Sequence, residues 1–134
     1  MKAVVVDTDV ISYIFKADTR GQPYINYLGQ TTNFYSFQTL AELRFWALHH
    51  HWSENRWLKM LAHLDNYNLI EHNAAITENW AVVMHLSQLA GRRILAADAW
   101  VAATALELGI PLVTHNKKDF LGVAGLEIIS FAEV

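Results

Sequence analysis

A chain of 134 residues is long enough to bury a core without covalent staples and short enough to be one domain. Its composition is 53% apolar and 17% charged with no cysteine, which excludes a disordered tail, a disulfide framework, a thiolate metal site and a thiol nucleophile. The net charge of −3 offers no global basic face for nucleic acid, so a polyanion has to be met by a local patch or through bound metal.

Lys2 to Val6 is a short β-branched run of the kind buried on both faces of a sheet. It is too short for a signal-peptide core, and Asp7 cuts it off. No stretch approaches the roughly 18 apolar residues of a membrane span, so a soluble, cytoplasmic protein without a membrane partner is expected. Asp9 to Phe15 reads as a helix, with a break at Gly21-Gln22-Pro23. Asn33 to Phe37 suits a second strand. From Gln38 the period turns helical: Leu40, Leu43 and Ala47 share one face, and Glu42, Phe45, Trp46 and His49 share the adjoining one.

Ser53 caps a further helix running to about Asp65, and Tyr67 to Ile70 suits a third strand. Asn73 to Leu89 is helical by the spacing of Ile76, Trp80, Val83 and Ser87, with Gly91 to end it. Ala96 to Leu108 is apolar nearly all round, which marks a helix buried against a sheet. Pro111-Leu112-Val113 starts a fourth strand and Glu127 to Ser130 a last one. Strands alternating with helices over residues 1–134 predict a single α/β domain, a three-layer sandwich around a mostly parallel sheet.

In such folds ligands bind beyond the carboxyl ends of the strands, and the acids fall there. Asp7 ends the first strand and Asp9 follows it; Asp119 comes shortly after the fourth strand; Glu42 and Asp98 lie in early helical turns. Each has a plain structural role available. Asp9 and Asp98 suit N-caps worth about 1 kcal/mol, Glu42 suits a helix start, and Asp119 suits a turn. Together they conflict with that reading, because two like charges about 4 Å apart repel by roughly 4 kcal/mol at an effective dielectric near 20. A converging cluster therefore calls for a cation. Oxygen-only donors favour Mg²⁺ or Mn²⁺ over zinc, and such ions serve phosphoryl chemistry.

Four motifs in this order carry a resemblance over nearly the whole chain: Val4 to Ser12 with Asp7-Thr8-Asp9, Thr39 to Arg44 around Glu42, Asp98 to Ala105, and Thr114 to Phe120. The chain resembles the PIN-domain family, and within it the VapC-type toxins of toxin–antitoxin pairs. The resemblance implies a metal-dependent endoribonuclease of α/β/α architecture. Asp7, Glu42, Asp98 and Asp119 would be its acidic quartet, holding Mg²⁺ or Mn²⁺ and the attacking water. Thr8, Asp9 and Asn116 match positions that support the acids by hydrogen bonds. Two positions depart from the pattern: Asp9, often Asn in the family, and Asn116, Asp in many members, which bears on a second metal site. A cognate antitoxin, an RNA substrate and a homodimer are the expected partners.

Other readings compete. Asp7-Thr8-Asp9-Val10 also fits the opening of haloacid-dehalogenase-like phosphatases, with Asp7 as nucleophile, and a non-catalytic binding module is the third alternative. His49-His50-His51 cannot chelate one ion together, since successive helical residues point about 100° apart. Trp46, Trp52, Trp57 and Tyr24 suit base stacking, core packing or an interface. Arg92-Arg93 and Lys117-Lys118 flank acid-bearing motifs and are expected to form a phosphate rail beside the metal.

Overall fold

The structure, a computed structural model, describes residues 1–133. Val134, the last residue of the expected domain, lies outside them. Five strands, β1 (Lys2–Val6), β2 (Thr31–Ser36), β3 (Asn68–Ile70), β4 (Leu112–Val113) and β5 (Ile128–Ile129), form one sheet in the order β3-β2-β1-β4-β5. Every pairing is parallel, with Val5 set opposite Phe34 on one side and Leu112 on the other.

β1 is the central strand, and its composition shows why. Val4, Val5 and Val6 are fully buried, and their side chains divide between two cores. Val4 and Val6 pack with Val10, Ile11, Tyr24, Leu43 and Met60, beneath α1 (Thr8–Phe15), α2 (Gln22–Leu28), α3 (Phe37–His49) and α4 (Glu54–Leu64). Val5 packs with Val83, Ala99, Ala102, Ala105 and Phe120, beneath α5 (Ala74–Leu89) and α6 (Ala96–Leu108). The result is the expected three-layer α/β/α arrangement. The small residues of α6 let it lie close on the sheet, so Ala99, Ala102, Ala103 and Ala105 are wholly buried.

Several expected elements shift in instructive ways. α1 starts at Thr8 with Asp7 as its N-cap, accepting from the Thr8 N–H, so Asp9 is no cap. Gly21-Gln22-Pro23 opens α2 rather than breaking the chain, because Pro in a first turn loses no hydrogen bond. Gly21 is required for packing: a Cβ there would stand 3.0 Å from the Ile14 nitrogen. Phe37 belongs to α3 and not to the second strand, since Ser36 ends β2 and caps α3 through the Gln38 N–H. Asp98 is not a cap either. Leu95 stands at that position with no side-chain bond, which leaves Asp98 in the first turn of α6. The cap expected at Ser53 matches the structure, and Gly109, in the left-handed region at φ 64°, ends α6.

The strand order changes direction between β1 and β4, each of which delivers its chain to the same edge of the sheet. That edge is where an open parallel sheet forms a crevice.

Candidate active site

Asp7 leaves β1 at this crevice and is 7% exposed. One carboxylate oxygen accepts from the Thr8 N–H at 2.8 Å, the other from the Thr114 hydroxyl at 2.8 Å. Thr114 follows β4 directly and is fully buried. Asp9 sits one half-turn into α1 and is tied back to the same loop. Its Oδ2 accepts from the His115 N–H at 3.2 Å and from Asn116 Nδ2 at 3.0 Å, while Oδ1 accepts from the Val10 N–H at 2.7 Å. The Thr8 hydroxyl bonds the Thr39 hydroxyl at 2.9 Å, joining α1 to α3. Glu42, one turn farther along α3, accepts from Gln38 Nε2 at 3.3 Å.

These side chains line one cavity of about 400 Å³: Asp7, Asp9, Glu42, Asp98, Asn116 and Asp119 stand on its walls with Thr8. All four acids of the expected quartet and all three expected supporting residues therefore meet. They come from the ends of β1 and β4, the second turn of α3 and the first turn of α6. Asp119 comes from a 3-10 turn over Lys117–Phe120.

The carboxylates resist ionisation. Burial, then the charge of Asp9, pushes Asp7 well above the usual carboxylate range, and hydrogen bonds from Thr114 and Thr8 only partly offset this. Burial also raises Asp9 and Glu42, the latter with help from Asp9. Asp98 is pushed up to about 6 by burial and by the charges of Asp119, Glu42 and Asp9. Four acids are thus close enough to repel one another, as the sequence argument requires of a cation site.

The donor chemistry suits a hard divalent cation. All candidate ligands are oxygens, and among the described residues no hydrogen-bond donor meets the carboxylates of Asp98 or Asp119, so their lone pairs are available. Among the described residues no three His, Cys, Asp or Glu side chains already converge as a ligand set. Glu42 and Asp98 are half-buried and Asp119 is exposed.

The basic residues divide. Arg92, Arg93 and Lys118 line a neighbouring cavity of about 370 Å³ that shares Asp98 and Asp119 with the first, whereas Lys117 lines neither. Of the aromatics, Tyr24 is core, fully buried with its hydroxyl 2.7 Å from His115 Nδ1. Trp52 stacks on Phe15, and Trp57 packs partly on the core under the Arg44 guanidinium. Trp46 is 45% exposed and lines the acidic cavity. His49 and His50 stack on Phe45 and Trp46 at the exposed end of α3, and His51 turns out of the helix at φ 56°.

Thr114, Gln38 and Thr39 hold the site, yet reading the sequence assigned them no role. Thr114 was within reach, because a buried hydroxyl directly after a strand faces whatever the neighbouring strand end presents. Asp7 has both oxygens engaged as acceptors, an arrangement that fixes the carboxylate rather than freeing it as an attacking nucleophile.

A family profile described as PIN domain matches residues 4–126. The fold is shared with VapBC2 from Rickettsia felis, solved bound to a DNA fragment from its promoter, at TM-score 0.86 and 21% identity over 96% of this chain and 98% of that one. VapBC-1 from nontypeable Haemophilus influenzae aligns at TM-score 0.79 and 27% identity, covering 96% and 97%. VapBC-5 from Mycobacterium tuberculosis, a member of the VapBC family of toxin–antitoxin systems, aligns at TM-score 0.69 and 24% identity, covering 97% and 99%. No curated protein sequence matches the chain significantly.

Proposed function

The chain belongs to the PIN-domain family, and from that premise we propose that it is a metal-dependent endoribonuclease, the toxin of a toxin–antitoxin pair. The observation that carries this reading is the meeting of Asp7, Glu42, Asp98 and Asp119 in one cavity at the carboxyl edge of the sheet. Such a cluster is costly for the fold alone, and its donors match Mg²⁺ or Mn²⁺. Asp7, Glu42, Asp98 and Asp119 would hold the ion, which supplies Lewis-acid activation of water and neutralises charge on a phosphodiester.

The chain's own residues do the positioning. Thr8 and Thr114 clamp both oxygens of Asp7, so the most buried acid has one orientation. Asn116 and the His115 N–H fix the Asp9 carboxylate against the loop after β4. A carboxylate of the quartet takes the proton lost by the attacking water. Arg92, Arg93 and Lys118, which line the adjoining cavity, form the cationic rail for the RNA backbone; Lys117, expected in it, stands outside. The rail is needed because the acids alone repel phosphate.

The antitoxin reading is supported by a groove of about 630 Å³ between α3 and α4, lined by Leu48, Trp57, Leu58 and Leu61 among others. A tail with apolar residues in that groove and an Arg or Lys reaching the acids would fit both surfaces. VapBC-5 from Mycobacterium tuberculosis is by name a member of a family of toxin–antitoxin systems. RNA as substrate and the absence of any helix long and apolar enough to cross a membrane, among the described residues, agree with a cytoplasmic site of action.

The test is incubation of the purified, antitoxin-free protein with total RNA, with Mg²⁺ or Mn²⁺ and with excess chelator. Cleavage in metal alone is expected. Cleavage that persists in chelator, or none on any RNA tried, removes the proposal.

A further inference from the structure

The acidic cavity has a second wall that the quartet does not use. On α1 the residues Asp9, Tyr13 and Lys16 follow one another at helical spacing, and on α3 Trp46 follows Glu42 by one turn. Both stripes start at a site carboxylate and run outward, and Tyr13, Lys16 and Trp46 line the same cavity as the acids. By helical rise Trp46 lies about 6 Å beyond Glu42, and Lys16 about 10 Å beyond Asp9.

The chemistry of this wall suits a nucleotide. Trp46 is 45% exposed. The His50 ring stacks against it at 6.1 Å, and the Lys16 ammonium sits 5.7 Å from its centroid. The indole thereby has a ring partner in His50 and a cation in Lys16 that a stacked base can displace. Lys16 is exposed and, among the described residues, has no acid within salt-bridge distance. Arg20, also on this wall, is committed: Asp18 grips it in two bonds at 2.7 and 3.0 Å, and it lies 4.0 Å over Tyr13. Lys16 is therefore the cation left to meet a phosphate.

We propose that Trp46 and Lys16 form a binding subsite for a nucleotide flanking the scissile phosphate of a single-stranded RNA, Trp46 stacking the base and Lys16 taking its phosphate. The inference rests on the ribonuclease reading and deepens it. The Arg92–Arg93 and Lys118 cavity lies on the Asp98–Asp119 side of the acids, the Trp46–Lys16 wall on the Asp9–Glu42 side. An RNA strand drawn across the quartet meets positive charge on both flanks. Stacking on Trp46 is indifferent to base pairing edges, so the subsite selects unpaired strands rather than a sequence.

The test compares wild type with Trp46→Ala, Trp46→Phe and Lys16→Gln, each first checked for folding by thermal unfolding. Binding of a short labelled single-stranded RNA is measured in chelator across a salt series, and cleavage kinetics of the same RNA in Mn²⁺. Loss of base stacking is expected to weaken binding by roughly 5- to 150-fold in Trp46→Ala, seen as a rise in KM, with Trp46→Phe in between. Removing the base at one position of the RNA should weaken wild type by a similar factor and leave Trp46→Ala nearly unaffected. Lys16→Gln should flatten the dependence of log affinity on log salt by about 0.7, the value for one phosphate contact on a single strand. A merely structural lysine would leave that slope alone. Wild-type cleavage with all three variants at wild-type KM and salt slope overturns the subsite while leaving the ribonuclease standing. Variants that bind RNA normally but lose affinity for a basic antitoxin-tail peptide also overturn it, since the wall then serves a protein. A wild type that cleaves no RNA overturns the ribonuclease reading instead.

Discussion

Asp98 occupies the first turn of α6 without capping it, so its structural benefit is limited to the helix dipole, about 0.3–1 kcal/mol. Against that stands a carboxyl pushed up to about 6 by burial and three neighbouring acids. Its folded pKa lies above its unfolded value of 3.8, so the folded state binds the extra proton. The stability it lends is complete below pH about 4 and is lost as the pH rises through about 6. Metal-free protein is therefore expected to melt higher at pH 5 than at pH 8. Asp98→Asn should abolish cleavage, melt at or above wild type in chelator at pH 8, and lose that advantage at pH 5. Thermal unfolding of both proteins at both pH values decides. A variant melting well below wild type at pH 8 would show that Asp98 is there for the fold.

Thr114 presents the opposite balance at the same scale. It is fully buried, donates to Asp7 and accepts from the Asn116 N–H at 3.1 Å. Thr114→Val keeps the shape and strands a buried carboxylate oxygen and a backbone N–H, at a cost of about 1–3 kcal/mol. Urea unfolding in chelator should show a loss in that range, and a loss below about 0.5 kcal/mol contradicts the bonding described.

At the scale of elements, α3 and α4 are both capped by serine but differ in consequence. Ser36 is fully buried, accepts from the Gln38 N–H at 3.1 Å and from the Thr104 hydroxyl at 3.2 Å, and fixes the start of the helix that carries Glu42. Ser53 is exposed and accepts from the Arg56 N–H at 3.1 Å. Replacing either by Ala should cost about 1 kcal/mol or somewhat more. Only Ser36→Ala should also reduce cleavage, because it loosens α3 against α6 as well as its cap. Equal activity in the two variants would mean that the α3 start tolerates movement.

For the whole molecule the outstanding feature is an apolar patch on the α5 side. Val82, Leu86 and Leu89 share one face of α5, and Val82, Leu86, Leu95 and Leu121 line the same cavity as Arg92, Arg93 and Lys118; Leu89 and Leu95 are each more than 70% exposed. A patch of this kind on a small protein marks an association surface, and a second copy of the chain is the expected occupant. Sedimentation should find a wild-type dimer that Leu86→Arg or Leu89→Arg converts to a monomer. A monomeric wild type at micromolar concentration removes the dimer.

How far the sequence reaches depends on the range of the physics involved. The hydrophobic period is local, so β1, α5 and α6 could be read almost to the residue, and their alternation already implied a parallel sheet with helices on both faces. The four acids could be picked out because strand ends and first helical turns are local features too. Caps were less legible. Asp7 or Asp9, and Leu95 or Asp98, differ by a rotation of the chain that neighbouring turns decide. The helix opened by Pro23 was missed because a lone proline reads as a break until Gly21, packed against Ile14, shows which way the chain continues. What only the tertiary structure decided is the company each side chain keeps. The order β3-β2-β1-β4-β5 sets β4 beside β1, and so places Thr114 on Asp7 and Asn116 on Asp9 across more than a hundred residues of chain. Burial at that junction, together with the charges it brings near one another, raises the carboxyl pKa values, a cost that a bound cation would offset. The amino-acid order determined which residues are the candidates for chemistry. Their mutual repulsion, their hydrogen bonds and the cavity they share exist only once the sheet has closed, because each depends on distances between segments that the linear order does not set.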